Sequence, residues 1–373
     1  MLKGIYLTLM IGPANPGVAP KPVVDALSAI QITSSKERSG FQLTFSVAKD
    51  SILLTTLLPA GFFDPIITRV IIIVTLNGVP NVLMDGLITN QEFTPSNEPG
   101  QSNLTVTGED LSVAMNIVEK IVPYPGFTED AQVSAVLAGY ASLGITPLVM
   151  SPIIPTTPDV TDQWETQRST DLDLIRRLAR RVGYIFFVDP GPLPGQSTAY
   201  FGPDTSLPLV QPALTVNMDA LTNVESLSFS LDGLAKEVGM FNILVDGGPD
   251  TITVPVPNID PFRPPLGVRP APTMKVTYPS SVAGLKTDQA SQQILGYLLS
   301  NRPAVTANGS LDVMFYNSIL KARLLVGVRG AGITYDGLYY VDSVTHNIKQ
   351  GEYKQNFTLS RDGLVSGVPL VTP

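Results

Sequence analysis

The sequence contains no cysteine and a single histidine, His346. The first lack excludes disulfides, thiolate metal sites and a cysteine nucleophile, and the second excludes a two-histidine zinc site. Charge is sparse too: Asp, Glu, Lys and Arg make up 15% of 373 residues, with a formal sum of −8. That acidic balance lacks the basic footprint of a general nucleic-acid binder, so no specific nucleic-acid binding is expected. Long apolar runs are missing as well. Residues 71–76 are far too few to span a bilayer, and no membrane insertion is expected. At the start, Lys3 precedes an apolar run of about eight residues, which resembles a short signal peptide. The run ends at Gly12-Pro13 without a small-x-small cleavage site, so it reads as a buried first strand.

What is plentiful points to β-structure. The chain has 31 Gly, 33 Pro and 44% apolar residues, a composition with many turns and enough core for roughly two or three domains. Phe41-Gln42-Leu43-Thr44-Phe45-Ser46-Val47 alternates strictly, as a strand with one buried face does. Residues 70–76 form a continuous β-branched run, fitting a strand covered on both faces. Asn77-Gly78 then supplies a hairpin turn into Val82-Leu83-Met84, with Asp85-Gly86 as a second turn signal. The first 107 residues therefore read as an all-β unit, a small barrel or sandwich.

At Gly108 the period changes. Residues 109–121 place Leu111, Met115 and Val118 at helical spacing. Thr128 caps a second helix with Val133, Val136, Leu137 and Tyr140 on one face, ending at Gly144. A Pro-rich stretch, 147–158, reads as extended chain. The third helix is opened by Ser169 or Thr170, carries Asp171 and Asp173 in its first turn and Leu172, Ile175, Leu178 and Val182 as its stripe, and stops at Gly183. Tyr184-Ile185-Phe186-Phe187-Val188 follows as a strand pairing with Ala199-Tyr200-Phe201. β-structure returns near Leu214, with Leu227, Phe229 and Leu231 on one face. Residues 247–273 read as a Pro-rich surface loop or arm, and 287–301 as a helix burying Ala290, Ile294, Tyr297 and Leu298.

The end of the chain, 324–361, reads as a three-stranded antiparallel meander with turns at Asp336-Gly337 and Gln350-Gly351. Its strand–turn–strand pattern echoes 73–88, which suggests two β-units of similar build.

Chemistry is hard to find. His346 is the obvious general base, but Asp342, four residues back, lies roughly 13 Å away at strand rise. Without a partner it reads as an outward polar residue, structural and tolerant of alanine. The carboxylate pairs Glu109/Asp110 and Asp171/Asp173 could suggest glycoside hydrolysis, yet both are placed in helix first turns, where the helix dipole accounts for them. Gly327-x-x-Gly330-x-Gly332 lacks the lysine and following helix of a phosphate loop. Arg176, Arg177, Arg180 and Arg181 read as a solvated helix face, and Trp164 as a packing anchor. No catalytic, cofactor-binding or metal residues are assigned, and no enzyme is expected.

The run Ser169-Thr170-Asp171-Leu172-Asp173-Leu174-Ile175-Arg176-Arg177-Leu178-Ala179-Arg180-Arg181-Val182-Gly183-Tyr184 resembles the phage late control protein D family. Three further matches follow the family's order. They are Gly108-Glu109-Asp110-Leu111-Ser112; then Asp219-Ala220-Leu221 with Val224-Glu225-Ser226-Leu227-Ser228-Phe229; and finally the meander around Tyr339-Tyr340-Val341, Gly351 and Phe357-Thr358-Leu359-Ser360-Arg361. That family supplies tail baseplate hubs related to the hub part of type VI secretion spike proteins. The resemblance implies an α+β, mostly β fold: two tube-like antiparallel β-barrel domains, 1–107 and 213–373, separated by an α+β insertion, 108–212.

It further implies a homotrimer forming a pseudo-sixfold ring between the inner tube and the spike of a phage tail or contractile injection particle, assembled in the cytoplasm. The chain runs only about a dozen residues past Arg361, so a separate spike protein is expected as partner, with the inner tube or a tube-initiator and other baseplate proteins. The rival readings are a peptidoglycan- or glycan-processing baseplate enzyme and a glycan-binding β-protein.

Overall fold

The computed structural model describes residues 4–98, 100–154, 166–204, 209–244, 251–257, 265–279, 287–299 and 303–367. The first stretch gives β1 (Ile5–Pro13), β2 (Gly17–Val18), α1 (Lys21–Ala26), β3 (Leu27–Ser35), β4 (Ser39–Val47), β5 (Thr68–Leu76), β6 (Val79–Thr94) and β7 (Ser102–Asp110). The middle gives β8 (Glu119–Pro123), α2 (Glu129–Ala138), β9 (Ile145–Val149), β10 (Thr166–Thr170), α3 (Asp171–Val182), β11 (Tyr184–Pro190) and β12 (Ser197–Pro203). Then come β13 (Val210–Thr215), β14 (Ser226–Leu231), β15 (Glu237–Leu244), β16 (Thr251–Pro257), β17 (Gly267–Pro270), β18 (Lys275–Thr277) and α4 (Thr287–Leu299). The chain closes with β19 (Val305–Asp312), α5 (Val313–Tyr316), β20 (Leu325–Arg329), β21 (Gly337–Lys349), β22 (Glu352–Arg361) and β23 (Gly363–Ser366). The class is α+β, mostly β, as expected.

Local rules explain most elements. In β4 the alternation buries Phe41, Leu43, Phe45 and Val47 and leaves Gln42, Thr44 and Ser46 on the other face. β5 is buried along nearly its whole length, as its unbroken β-branched run requires. Asn77 and Gly78 both take positive φ, 52° and 82°, the backbone of a tight hairpin turn. In α3 the Asp173 N–H donates to the Thr170 hydroxyl at 3.3 Å, and the stripe Leu172, Ile175, Leu178 and Val182 is buried. Against it lies the sheet β11-β12-β9, in which Phe186, Phe187 and Val188 face Phe201, Tyr200 and Ala199 as expected. The meander also forms, β20 pairing with β21 and β21 with β22.

Among the described residues thirteen strands belong to one sheet, ordered β14-β19-β22-β21-β3-β4-β7-β6-β5-β1-β2, with β20 joining β21 to β13. The order contains one six-strand arrangement twice. Taken in chain order as first to sixth, β1, β3, β4, β5, β6 and β7 lie in space as first, fourth, fifth, sixth, third, second. The strands β13, β14, β19, β20, β21 and β22 lie in that same sequence. One strand breaks the likeness: β1 runs antiparallel to β5, whereas β13 runs parallel to β20. The two sets meet at β21. One of its edges pairs with β22, while the other pairs with β20 up to Tyr340 and with β3 from Ser343 onward. Asp342 is the extra residue of a bulge between these halves, and a bulge bends its strand, which lets β21 serve two neighbours.

Several expectations are corrected. The two β-units are not separately closed barrels: their strands share one sheet and one apolar cluster, in which Phe45 and Ile72 join Val328 and Leu359. The helix expected over 109–121 is only a short 3₁₀ helix, Leu111–Asn116. Glu109 and Asp110 end β7, and Lys120 and Ile121 pair with β10, because β-branched residues there are better satisfied in a ladder than in a helix. Asp85-Gly86 is no turn but lies inside β6, where a Cβ on Gly86 would sit 2.1 Å from the Glu109 carbonyl oxygen. Part of the Pro-rich arm is strand. Among the described strands β16 pairs only with β15, so Pro255 and Pro257 sit on an edge where a missing N–H is tolerated. Trp164 lies outside the described residues.

Candidate functional site

His346 does not face solvent. It is buried on β21, where its Nδ1 lies 2.7 Å from the Tyr353 hydroxyl and 3.2 Å from Gln355 Nε2. Gln355 is oriented by its backbone partners: Nε2 donates to the Leu320 carbonyl at 2.8 Å, and Oε1 accepts from the Leu320 N–H at 3.0 Å. Its amide can therefore only donate toward the ring, so Nδ1 is an acceptor and the imidazole is neutral. Burial, with the nearby Lys321 charge, pushes the ring's proton affinity down from the ordinary 6.5 to about 4. The arrangement suits a structural acceptor, and the outward reading is corrected.

Neither carboxylate pair forms a catalytic dyad. The Asp110 carboxylate is buried and accepts from the N–H groups of Ser39 and Ser112, each at 2.9 Å. Burial raises its proton affinity, against the pull of those bonds. Asp171 is also buried and accepts from Lys120 Nζ at 2.5 Å, the Tyr140 hydroxyl at 2.7 Å and Gln167 Nε2 at 2.8 Å. Burial opposes its charge, but those three donors outweigh it and hold the carboxyl below the ordinary carboxylate range. Both groups tie elements together instead of facing a cleft. Among the described residues no cluster of three or more carboxylate or histidine side chains could hold a metal ion. On α3, Arg176 and Arg180 line an open cleft with Lys36, Arg38 and Asp342, while Arg181 lies 4.0 Å from the buried Glu129. The turn after β20 holds Gly330 and Gly332 at positive φ and leads to β21, not to a helix.

The feature that stands out is backbone, not side chain. β14 is a terminal strand of the large sheet, paired on one edge with β19 and on the other with none of the described strands. β6 is paired on one edge with β7 up to Thr94, but β5 leaves its other edge at Leu87. From Asn90 to Thr94 that second edge has no described strand beside it, and four of these five residues are exposed. Unpaired strand edges present rows of N–H and C=O groups ready to bind another strand.

The seam inside the chain shows how such edges fit. In β21–β3, Ser343 faces Ser35, Thr345 faces Thr33 and Asn347 faces Gln31. Arg323 locks this seam. Its guanidinium donates to the carbonyls of Ser35 and Lys36, pairs with Asp189 and stacks 4.0 Å from the Phe187 ring. One side chain thereby joins both strand sets to the middle segment. Nothing in the sequence singled out Arg323, because its partners lie far away in the chain. Alternation at Leu227, Phe229 and Leu231 marked β14 as a strand but not as an edge.

The comparisons bear on the fold. No family model matches the sequence, and no curated protein matches it. Solved structures do. A tail protein of Neisseria meningitidis aligns over 97% of this chain and 98% of its own, at 13% identity and a TM-score of 0.62. The c3393 protein of E. coli aligns over 93% of this chain and 77% of its own, at 14% identity and a TM-score of 0.51. It is a component of the type VI secretion system with structural similarity to the T4 tail proteins gp27 and gp5. A chain of the Francisella PdpA–VgrG complex covers all of this chain with 60% of its own length, at 8% identity and a TM-score of 0.57. At these identities the likeness is one of fold, and the fold is that of phage tail and type VI secretion proteins.

Proposed function

We propose that this protein is a non-enzymatic structural baseplate hub of a phage tail or phage-tail-like contractile injection particle. Three copies close into a pseudo-sixfold ring between the inner tube and a separate spike protein, as the family resemblance implies. Residues 1–107 and 213–373 supply two ring units per chain and 108–212 the segment between them, with assembly in the cytoplasm alongside other baseplate proteins. The observation that carries the reading is the duplicated strand order with its two open edges. Within the chain, β3 of the first set pairs with the second half of β21. β14 is the counterpart of β3, and the second half of β6 is the counterpart of that half of β21. A second copy can therefore repeat the internal seam, with β14 of one chain beside β6 of the next. The fold shared with tail and type VI proteins supports the same reading.

The internal seam also supplies a register. β6 has its extra residue at Thr89 and β21 at Asp342, so Asn90 corresponds to Ser343 and Thr107 to Thr358. Gln31 and Ser228 correspond, since each reaches that row through one intervening strand, by Gln42 and by Asn308. The pairing of Asn347 with Gln31 then becomes Thr94 opposite Ser228 of the next copy. Cross-strand neighbours lie about 4.5–5.5 Å apart at Cα, within reach of a disulfide. In this cysteine-free chain, Thr94→Cys with Ser228→Cys is expected to give covalent trimers under mild oxidation, and electron microscopy to show rings. A chain that stays monomeric at high concentration and forms no ring contradicts the proposal.

A further inference from the structure

The chain takes the same uncommon backbone turn ahead of two corresponding strands. Ile66, before β5, has φ 69°, and Arg323, before β20, has φ 66°. Each donates its N–H to the carbonyl that precedes the bulge of the neighbouring strand. Ile66 bonds to Ile88 at 2.6 Å and Arg323 to Val341 at 2.8 Å. A β-branched side chain rarely adopts that left-handed backbone. Ile66 thus holds in the first strand set the place that Arg323 holds in the second. Arg323 uses it to clasp the internal seam through the carbonyls of Ser35 and Lys36. Ile66 presents an exposed aliphatic group there instead, next to Ile67, which is 62% exposed.

The same correspondence places the residues that would face it in a second copy. Gln31 corresponds to Ser228, so Ser34 corresponds to Leu231 and Ser35 to Asp232. Ser35 and Asp232 indeed make the same backbone bond, to the carbonyl just before the next strand of the set, Arg38 and Ala304 respectively. Phe93 is the counterpart of His346, which faces Ile32, so it comes opposite Phe229 of the next copy. Ile66 comes beside the turn Asp232-Gly233-Leu234. Phe93 pairs with Leu104 of β7 and therefore lies on the core side of the sheet, yet it is 42% exposed. Leu231 and Leu234 are exposed on the opposite edge, beside Phe229, whose ring stacks 4.7 Å from Tyr335. Where the internal seam has His346, Ser34 and Arg323, the external one has Phe93, Leu231 and Ile66.

We infer that Ile66, Ile67 and Phe93 of one copy close on Phe229, Leu231 and Leu234 of the next, an apolar clasp that holds the ring where the internal seam uses an arginine. The inference rests on the ring reading above. The difference in chemistry has a physical reason. The internal seam joins segments already tethered in one chain, whereas a joint between copies must also offset their lost translational and rotational freedom. Burial of apolar surface supplies that without a fixed bonding geometry. The clasp also keeps the two seams from exchanging partners. A β6 edge set against β3 would put Ile66 over the Ser35 and Lys36 carbonyls, with no side-chain donor to offer them.

The test reads the protein concentration at which half the chain is in rings, by sedimentation with electron microscopy. Phe93→Ala and Leu231→Ala are each expected to raise it at least about tenfold, as truncating a buried interface anchor does. These two side chains are diagonal neighbours across the joined edges, within reach of each other. Combined, they are expected to raise it at least about threefold less than the product of the single effects. Val79→Ala, also exposed but at the far end of β6, is expected to leave assembly unchanged. All three single variants are expected to keep the urea midpoint of the dissociated chain, because their side chains are exposed before assembly. Phe93→Cys is expected to react with a small maleimide dye at least about tenfold more slowly in rings than in dissociated chain. Half-assembly within about threefold of the unmodified chain for Phe93→Ala, full additivity of the pair, or equal labelling rates, in rings seen by electron microscopy, overturns the inference and leaves the hub reading standing. Failure of the unmodified chain to form rings refutes the hub reading, and the clasp with it.

Discussion

Replacing His346 by alanine removes a ring that is 5% exposed and orphans the Tyr353 hydroxyl and one Gln355 amide donor beside it. Lost packing, a residual cavity and the unpaired polar groups together cost about 3 kcal/mol at neutral pH. The same ring has a second signature. Its folded proton affinity lies near 4, below the ordinary 6.5, so as pH falls the unfolded chain takes the proton first. The stability this neutral ring contributes is complete above about pH 6.5 and is lost as pH falls toward 4, a loss of about 3 kcal/mol at 1.36 kcal/mol per pKa unit. Alanine cannot titrate. The gap between wild type and His346→Ala is therefore expected to be about 3 kcal/mol at pH 7 and to shrink toward zero near pH 4. Urea unfolding at fixed protein concentration across this range reads it directly, and effects of the carboxylates cancel in the comparison. A variant within about 0.5 kcal/mol of wild type at pH 7, or a gap independent of pH, refutes the account.

Arg69 and Asp85 form a buried bidentate pair at 2.7 and 2.8 Å. Arg69→Ala is expected to cost about 3–5 kcal/mol by leaving a buried carboxylate uncompensated, whereas Arg69→Met with Asp85→Leu costs much less, as thermal unfolding will report. Val344→Pro, in the half of β21 paired on both edges, is expected to remove a ladder bond and to abolish both the seam and ring formation, at about 3 kcal/mol or more by chemical unfolding. Arg323→Ala is expected to loosen the seam selectively, seen as faster amide exchange at Ser35 and Thr33 before global unfolding.

Alternation and helical spacing act over a few residues, and for that reason β4, β5, α3 and the meander could be read without coordinates. The same signal was present for His346 and was misread. Val344 and Ile348 are apolar, Thr345 and Asn347 are polar, and the shared parity puts His346 on the core face. The expected helix at 109–121 failed for a different reason, since β8 depends on β10, which lies some 45 residues further along. Asp85-Gly86 carries turn chemistry, yet the Glu109 backbone pressing on Gly86 explains the glycine instead.

By itself the sequence determined the strands and helices whose periodicity is local, and the lack of thiolate and paired-histidine chemistry. Tertiary structure alone decided which strands become neighbours. Pairing β21 with both β20 and β3, reversing β1 relative to β13, placing Arg323 across three segments and leaving β6 and β14 with edges that no described strand covers all depend on contacts between residues far apart in the chain. Hydrogen bonds between strands are made by backbone groups that every residue but proline carries, so side-chain pattern can mark a strand and its buried face but not the identity of its partner.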